Sequence, residues 1–178
     1  SPDQLLAAPQ AEEKLGAQNA VIEPVQGSQI QNEPTLDFAK EKNRDDFARA
    51  LRGARRHLGK TYPLVVGGRE IMKDRTIRRE NPTQPDETIG LVCSASVREA
   101  DLAIEACEKS FPSWRDRKPE DRAQVLFKAA KIMRERRLEM AAFQVLEVGK
   151  PWREADADVV EAIDFMDFYG REMIRIGV

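Results

Sequence analysis

Carboxylates at helical spacing dominate residues 153–172, and they are the groups of this chain that could most readily do chemistry. Three of them would share one face of a helix: Glu154, Asp158 and Glu161. Like charges stacked in this way destabilise a helix unless solvent, basic residues of another segment or a cationic ligand offset them. For Glu161 and Asp164, which are flanked by apolar residues, two interpretations stay open: a solvated face, or partial burial with a specific role. Asp156 and Asp167 are expected to be solvated.

The chain offers few groups for metal or nucleophile chemistry. It has one histidine, His57, and two cysteines, Cys93 and Cys107. A single histidine cannot form a multi-histidine metal cage, and its basic neighbours favour a surface position. Cys107 lies on the apolar stripe of its predicted helix and is expected to be a buried small hydrophobe. Cys93 ends a short β run without a basic neighbour, so neither thiol is predicted to be a nucleophile.

Gly59-Lys60-Thr61 resembles only the end of a phosphate-binding loop. The complete motif has a glycine five positions before the second glycine and lies between a strand and a helix. Position 54 is an alanine, and the surrounding pattern runs from helix to strand. We therefore predict no ATP site and interpret Gly59 as a helix C-cap.

Charge and composition narrow the possible partners. The formal net charge of −2 predicts no dominant role in binding nucleic acid or anionic membranes. The basic helix at residues 49–60 lacks interleaved aromatics, so it is expected to be a solvated face or to meet an acidic patch. No basic leader or long apolar run is present, so neither a secretory signal nor a transmembrane helix is predicted. The two cysteines lack metal or redox spacing, which favours reduced thiols and a cytoplasmic protein.

A small β element is predicted between helices. A first helix is expected from about Asn43, as N-cap, to Gly59. The run YPLVVGGREI at residues 62–71 predicts a hairpin, because Gly-Gly suits a type I′ turn. Short strands are expected at residues 76–80 and 89–94, around a turn at 81–86.

The rest of the chain is predicted to be helical. Ser96 and Glu99 form a capping box whose helix should end near Phe111-Pro112. Pro119 opens the next helix, residues 138–148 form another that Gly149 closes, and a last helix is expected from 152 to 176. The predicted fold class is mainly α with a small β-hairpin or sheet element. Residues 1–36 are rich in Ala, Gln, Pro and Gly and are predicted to be a linker or interdomain connector, followed by one segment at 37–178.

The last predicted helix also carries a family resemblance. The run LEVGKP at residues 146–151, followed by EADADVVEAIDF at 154–165, resembles the aldehyde dehydrogenase superfamily. Within it the pattern is similar to the L-glutamate-γ-semialdehyde (1-pyrroline-5-carboxylate) dehydrogenases. Upstream runs agree in order and spacing: NEP at 32–34, YPLVVGG at 62–68, NP at 81–82 with IG at 89–90, and SFPSWR at 110–115. The connector before NEP is similar to the join between the two enzymes of the bifunctional proline utilization A proteins.

The resemblance implies the N-terminal segment of an aldehyde-dehydrogenase-like α/β fold. It implies oxidation of glutamate γ-semialdehyde to glutamate, with NAD bound by a downstream part of the enzyme and FAD added if the parent is bifunctional. The catalytic cysteine would also lie downstream, so this segment alone is expected to be inactive. Glu161 carries over to the substrate entrance, and Phe165, one turn later, would be a neighbouring wall of that channel. The full protein is expected to be a homo-oligomer that binds a small aldehyde.

A second class of function competes with this one at the level of sequence. The basic and acidic helices could belong to an interaction or regulatory domain that has no catalytic parent. The coding frame beyond residue 178 discriminates the two, since an NAD-binding βαβ fold and a reactive cysteine would support the enzyme.

Overall fold

The structure, a computed structural model, describes residues 31–177. Residues 1–30 of the predicted linker therefore lie outside the described residues, and residues 31–36 lie within them. Within them, five helices and five strands follow one another: α1 (Glu41–Arg55), β1 (Lys60–Tyr62), β2 (Leu64–Val66), β3 (Arg69–Ile71), β4 (Thr76–Asn81), β5 (Gln84–Cys93), α2 (Val97–Arg115), α3 (Pro119–Glu135), α4 (Arg137–Val148) and α5 (Trp152–Ile176). The predicted fold class, mainly α with a small β element, is confirmed.

The strands form two small sheets. β5 is the centre of the three-stranded sheet, with β1 parallel and β4 antiparallel to it. β2 and β3 form the predicted hairpin, in which Leu64 faces Ile71 across the pair. Its turn residues Gly67 and Gly68 have φ of 56° and 77°, the left-handed values that a type I′ turn requires.

Helices α1, α3, α4 and α5 enclose the core. Its fully buried members are mostly small: Phe47, Ala130, Ala141, Ala155, Val159 and Ile163. Alanines at these positions let the helix backbones approach closely, so that few large side chains fill the space between them. Phe38, Phe47 and Trp152 pack ring against ring beside this core, with Phe47 and Trp152 stacked at 4.8 Å between centroids. Ile89 of β5 packs on Ala54, Ala142 and Leu146, which joins the sheet to the helices.

The start of α2 confirms the predicted capping box. The Ser96 backbone N–H and hydroxyl donate to Glu99 Oε2 at 2.8 and 2.6 Å, and Lys73 Nζ donates to Glu99 Oε1 at 2.9 Å. The Ser96 hydroxyl bond and then the Lys73 bond lower the pKa of Glu99 to about 2. Pro119 opens α3, Gly149 ends α4 with φ of 69°, and α5 runs from Trp152 to Ile176 as predicted.

Four predicted boundaries were wrong. The first helix begins at Glu41, because the Asn43 side chain donates to Asp37 O at 2.9 Å and does not cap a helix. It ends at Arg55, and Gly59 lies in the turn after it, where its N–H donates to Ile89 O at 3.1 Å and begins the sheet.

The other two differences involve prolines. α2 continues through Pro112 to Arg115, since a proline removes a single helical N–H, and the Pro112 carbonyl still accepts from Asp116 N at 3.1 Å. The predicted turn at 81–86 is shorter than expected. Thr83 N donates to Asn81 Oδ1 at 2.9 Å, and β5 already begins at Gln84.

Candidate functional site on helix α5

Helix α5 separates an apolar stripe from a charged and aromatic face. Ala155, Val159 and Ile163 recur at four-residue spacing and are buried in the core. The other side carries acidic side chains and three exposed aromatics: Phe165, Phe168 and Tyr169. The helix therefore presents carboxylates and aromatic rings on one surface. Burial of the apolar stripe in the core fixes the orientation of that surface.

Asp156 is the main correction to the sequence interpretation, which expected it to be solvated. It is 0% exposed. Arg137 binds it with two parallel hydrogen bonds of 2.7 and 2.8 Å, and Leu36 N donates to Oδ2 at 2.7 Å. Arg137 also donates to Pro34 O at 2.9 Å. A buried carboxylate needs such partners because desolvation would otherwise destabilise its charged form. Asp156 thus ties α4, α5 and residues 34–36 together.

Asp164 and Asp167 are matched by partners in the same way. Asp164 accepts hydrogen bonds from Glu33 N and Asn32 Nδ2, both at 2.8 Å. Arg134 on α3 lies between Asp167 and Glu33, and the bonds to these two carboxylates raise the pKa of its guanidinium. Asp167 is half-buried, so the expectation of a solvated side chain was wrong for this residue as well. The extended segment at residues 32–36 therefore lies across α4 and α5, fixed by ion pairs and hydrogen bonds.

A pocket of about 310 Å³ opens where this segment meets the aromatic end of α5. It is lined by Asn32, Asp164, Phe165, Phe168 and Tyr169. The ring of Tyr169 stacks on Phe165 with centroids 5.9 Å apart and meets the ring of Phe168 edge-on at 5.3 Å. Such a lining offers aromatic faces and hydrogen-bond acceptors to a small polar ligand.

The two predicted site residues lie one turn apart beside this pocket. Phe165 lines it and is 50% exposed. Glu161 precedes Phe165 by four residues and so shares its helix face, but it is exposed and does not line the pocket. Of the two interpretations left open by the sequence, Glu161 fits the solvated face and Asp164 is half-buried. Within the part of the chain that the structure describes, Glu161 forms no hydrogen bond or ion pair.

Sequence reasoning missed Asn32, Phe168 and Tyr169 as pocket residues. The aromatic pair could have been found from its spacing, because Phe165, Phe168 and Tyr169 fall on one side of a helix. Asn32 carried no local signal, since its position beside Asp164 depends on a contact across 132 residues.

The remaining candidates do not form a second site. Cys107 is exposed, so its predicted burial was wrong, because α2 turns that stripe away from the rest of the described structure. Cys93 is buried and accepts a bond from Lys73 N at 3.3 Å. His57 is exposed and lies 3.0 Å from Lys60 Nζ. Among residues 31–177, no three acidic, cysteine or histidine side chains converge on a metal position. No helix in that range combines the length and apolarity needed to cross a membrane.

Comparisons with known proteins show which family and which relatives this sequence is similar to. The pattern of the aldehyde dehydrogenase family matches residues 71–177. A 1-pyrroline-5-carboxylate dehydrogenase of Geobacillus kaustophilus is 45% identical over 145 residues, which cover 82% of this chain and 28% of that protein. The chain thus spans little more than a quarter of the length of that relative.

Solved structures agree with the sequence relatives. A 1-pyrroline-5-carboxylate dehydrogenase from Thermus with bound NAD superposes with a TM-score of 0.79 at 42% identity, covering 82% of this chain and 28% of that one. Proline utilization A from Bdellovibrio bacteriovorus also gives a TM-score of 0.79, at 38% identity, covering 82% of this chain and 15% of the larger one.

Proposed function

This chain belongs to the aldehyde dehydrogenase family, and we propose that it is the amino-terminal part of an NAD-dependent enzyme that oxidises L-glutamate γ-semialdehyde to glutamate in proline catabolism. The observation that carries the proposal is the 45% identity to a 1-pyrroline-5-carboxylate dehydrogenase across 82% of the chain. Family membership also argues against the alternative of an interaction domain without a catalytic parent. The likeness to proline utilization A supports a bifunctional parent, for which FAD would be a second cofactor.

In this proposal, the rest of the enzyme carries out the bond-making and bond-breaking steps. The chain contains no Gly-x-Gly-x-x-Gly run, so its residues do not fit an NAD phosphate site of that type. Among residues 31–177, neither thiol forms a hydrogen bond with a basic side chain: Cys93 is buried against Lys73 backbone atoms, and Cys107 lies exposed on α2. We place NAD and the nucleophilic cysteine outside residues 1–178. The hairpin and helical layer of this segment brace that part, in a cytoplasmic homo-oligomer.

The role we assign to this segment in substrate binding follows from charge. Glutamate semialdehyde carries an ammonium group, and Glu161 is an exposed carboxylate without a partner in the described residues. Two opposite charges about 4 Å apart attract by about 1 kcal/mol in water and by about 4 kcal/mol at an effective dielectric constant near 20. Glu161 would collect the ammonium at the entrance, and Phe165, one turn later, would form an apolar wall for the carbon chain.

Substitution of Glu161 in the complete enzyme tests this role. Glu161→Gln keeps the size of the side chain and removes its charge, so we expect KM for glutamate semialdehyde to rise about tenfold, which corresponds to about 1.4 kcal/mol. KM for butanal, which has no ammonium group, should stay within twofold. Steady-state NADH formation with both aldehydes measures the difference.

A matched control comes from the same helix. Glu154 is also an exposed carboxylate of α5, about two turns before Glu161 and away from the pocket. Glu154→Gln should leave both KM values unchanged. Equal effects of Glu161→Gln on the two aldehydes would remove Glu161 from the substrate site. Absence of NADH formation with glutamate semialdehyde in the unsubstituted enzyme would refute the proposed function itself.

A further inference from the structure

The hydrogen bond between Asn32 and Asp164 fixes the orientation of an amide at the rim of the pocket. Asn32 Nδ2 lies 2.8 Å from Asp164 Oδ2. A carboxylate accepts hydrogen bonds, so the amide must face Asp164 with its NH₂ group. The other polar atom of the amide, the carbonyl oxygen Oδ1, then points away from Asp164. It accepts no hydrogen bond from any residue in the range 31–177. The pocket rim therefore carries an oriented acceptor in addition to the carboxylate.

The segment that carries Asn32 is held on three helices. Glu33 pairs with Arg134 of α3 at 2.6 Å, and its backbone N–H donates to Asp164 of α5. Pro34 O accepts from Arg137 of α4 at 2.9 Å. Because these contacts hold the residues that directly follow position 32, and Asn32 itself bonds Asp164, the amide is oriented before any ligand arrives, which lowers the entropic cost of binding.

The remaining walls of the pocket favour a cation. Among the described residues, no lysine or arginine lines it, and the rings that do belong to Phe165, Phe168 and Tyr169. Ring faces attract an ammonium through their quadrupole, and the Asp164 carboxylate adds a negative charge at the same place. A volume of about 310 Å³ is sufficient for an amino group with a short carbon chain.

We infer that Asn32 is a substrate-binding residue whose carbonyl oxygen accepts a hydrogen bond from a primary ammonium group, held beside Asp164 and the three aromatic rings. The identity of this ligand as the α-ammonium of glutamate semialdehyde rests on the proposed function. The preference of the pocket for an ammonium over a neutral group rests on its lining alone.

Asn32→Ala in the complete enzyme removes the oriented acceptor. We expect KM for glutamate semialdehyde to rise about tenfold, with kcat within twofold and KM for butanal unchanged. Asn43→Ala is the matched control, because the half-buried Asn43 also donates a side-chain hydrogen bond, to Asp37 O away from the pocket. It should change neither KM. Equal shifts for both aldehydes, or no shift with glutamate semialdehyde, would overturn the inference.

A second variant distinguishes direct contact of Asn32 with the substrate from a role of Asn32 in holding its segment in place. Glu33→Gln weakens the anchor on Arg134 without touching the pocket lining. If Asn32 binds the substrate, Glu33→Gln should raise KM less than threefold while Asn32→Ala raises it about tenfold. Equal effects of the two variants would mean that Asn32 only holds the segment in place, which contradicts a direct contact.

A probe without a reaction distinguishes this inference from the proposed function. n-Butylammonium should inhibit the unsubstituted enzyme competitively at concentrations where 1-butanol does not, and Asn32→Ala should weaken that inhibition about tenfold. If the enzyme oxidises another aldehyde but not glutamate semialdehyde, the proposed function fails while this result still supports an ammonium site. If glutamate semialdehyde is oxidised and Asn32→Ala changes neither inhibition nor KM, only the inference fails.

Discussion

We predict that the buried pair of Arg137 and Asp156 contributes strongly to the free energy of unfolding. The Asp156 side chain is 1% exposed and that of Arg137 is 13% exposed. Arg137→Met would remove both hydrogen bonds to Asp156 and the one to Pro34 O, which leaves the buried carboxylate with the Leu36 N–H alone. Removal of one partner from a buried pair costs about 3–5 kcal/mol, because the remaining charge is desolvated without compensation. We expect the free energy of unfolding to fall by that amount.

Urea unfolding of the chain, followed by tryptophan fluorescence, measures this loss. Trp152 packs on Phe47 in the core and reports on the same helix that carries Asp156. The slope of the free energy against urea should stay constant, so that the midpoint alone shifts. A loss of several kcal/mol is a large part of the stability of an ordinary domain and is readily resolved.

The neighbouring residue supplies the control. Arg136 pairs with Glu139, and their side chains are 54% and 41% exposed. Exposed pairs contribute about 0–1 kcal/mol, so Arg136→Met should have little effect. Asp156→Asn added to Arg137→Met should recover at least about 1 kcal/mol, since no uncompensated charge then remains. If Arg137→Met lowers the free energy of unfolding by no more than Arg136→Met does, burial does not determine how much this pair contributes to stability, and the prediction is wrong.

Two further predictions concern α2 and α5. The pKa of Glu99 is lowered to about 2, so its bonds to Ser96 and Lys73 stabilise the fold fully above pH 4.5, and this stabilisation is lost as the pH falls towards 2. Glu99→Gln should therefore lower the urea midpoint at pH 6 by more than at pH 3, and a constant difference would contradict this assignment. A Cβ at Gly170 would lie 2.5 Å from Phe127 Cε1. We expect Gly170→Ala to cost about 1–3 kcal/mol from overpacking, offset by up to about 1 kcal/mol of helix propensity. Additive effects of Gly170→Ala and Phe127→Leu in urea unfolding would show that the ring is not the cause.

Several elements could be predicted because their determinants lie within a few residues of one another. The Ser96–Glu99 capping box, Pro119 at the first turn of α3 and the Gly67-Gly68 turn each act through bonds or dihedral angles of adjacent residues. The resemblance of the α5 sequence to the family also rests on runs of consecutive residues, so it indicates the family without knowledge of tertiary contacts. Helix ends were less predictable, as Pro112 shows, because a proline near a C-terminus costs little and the following turns decide whether the helix continues.

The amino-acid sequence alone thus determined the helices, the hairpin and the family, since spacing, capping and turn chemistry are encoded along the chain. The tertiary structure decided which charges are buried and which groups meet at the pocket. Asp156 looked like a solvated residue until Arg137 was found against it, and Cys107 looked buried until α2 proved to face outward. Asn32 reaches Asp164 across 132 positions. Such contacts depend on how the helices pack, and packing is a property of the whole fold rather than of any one segment.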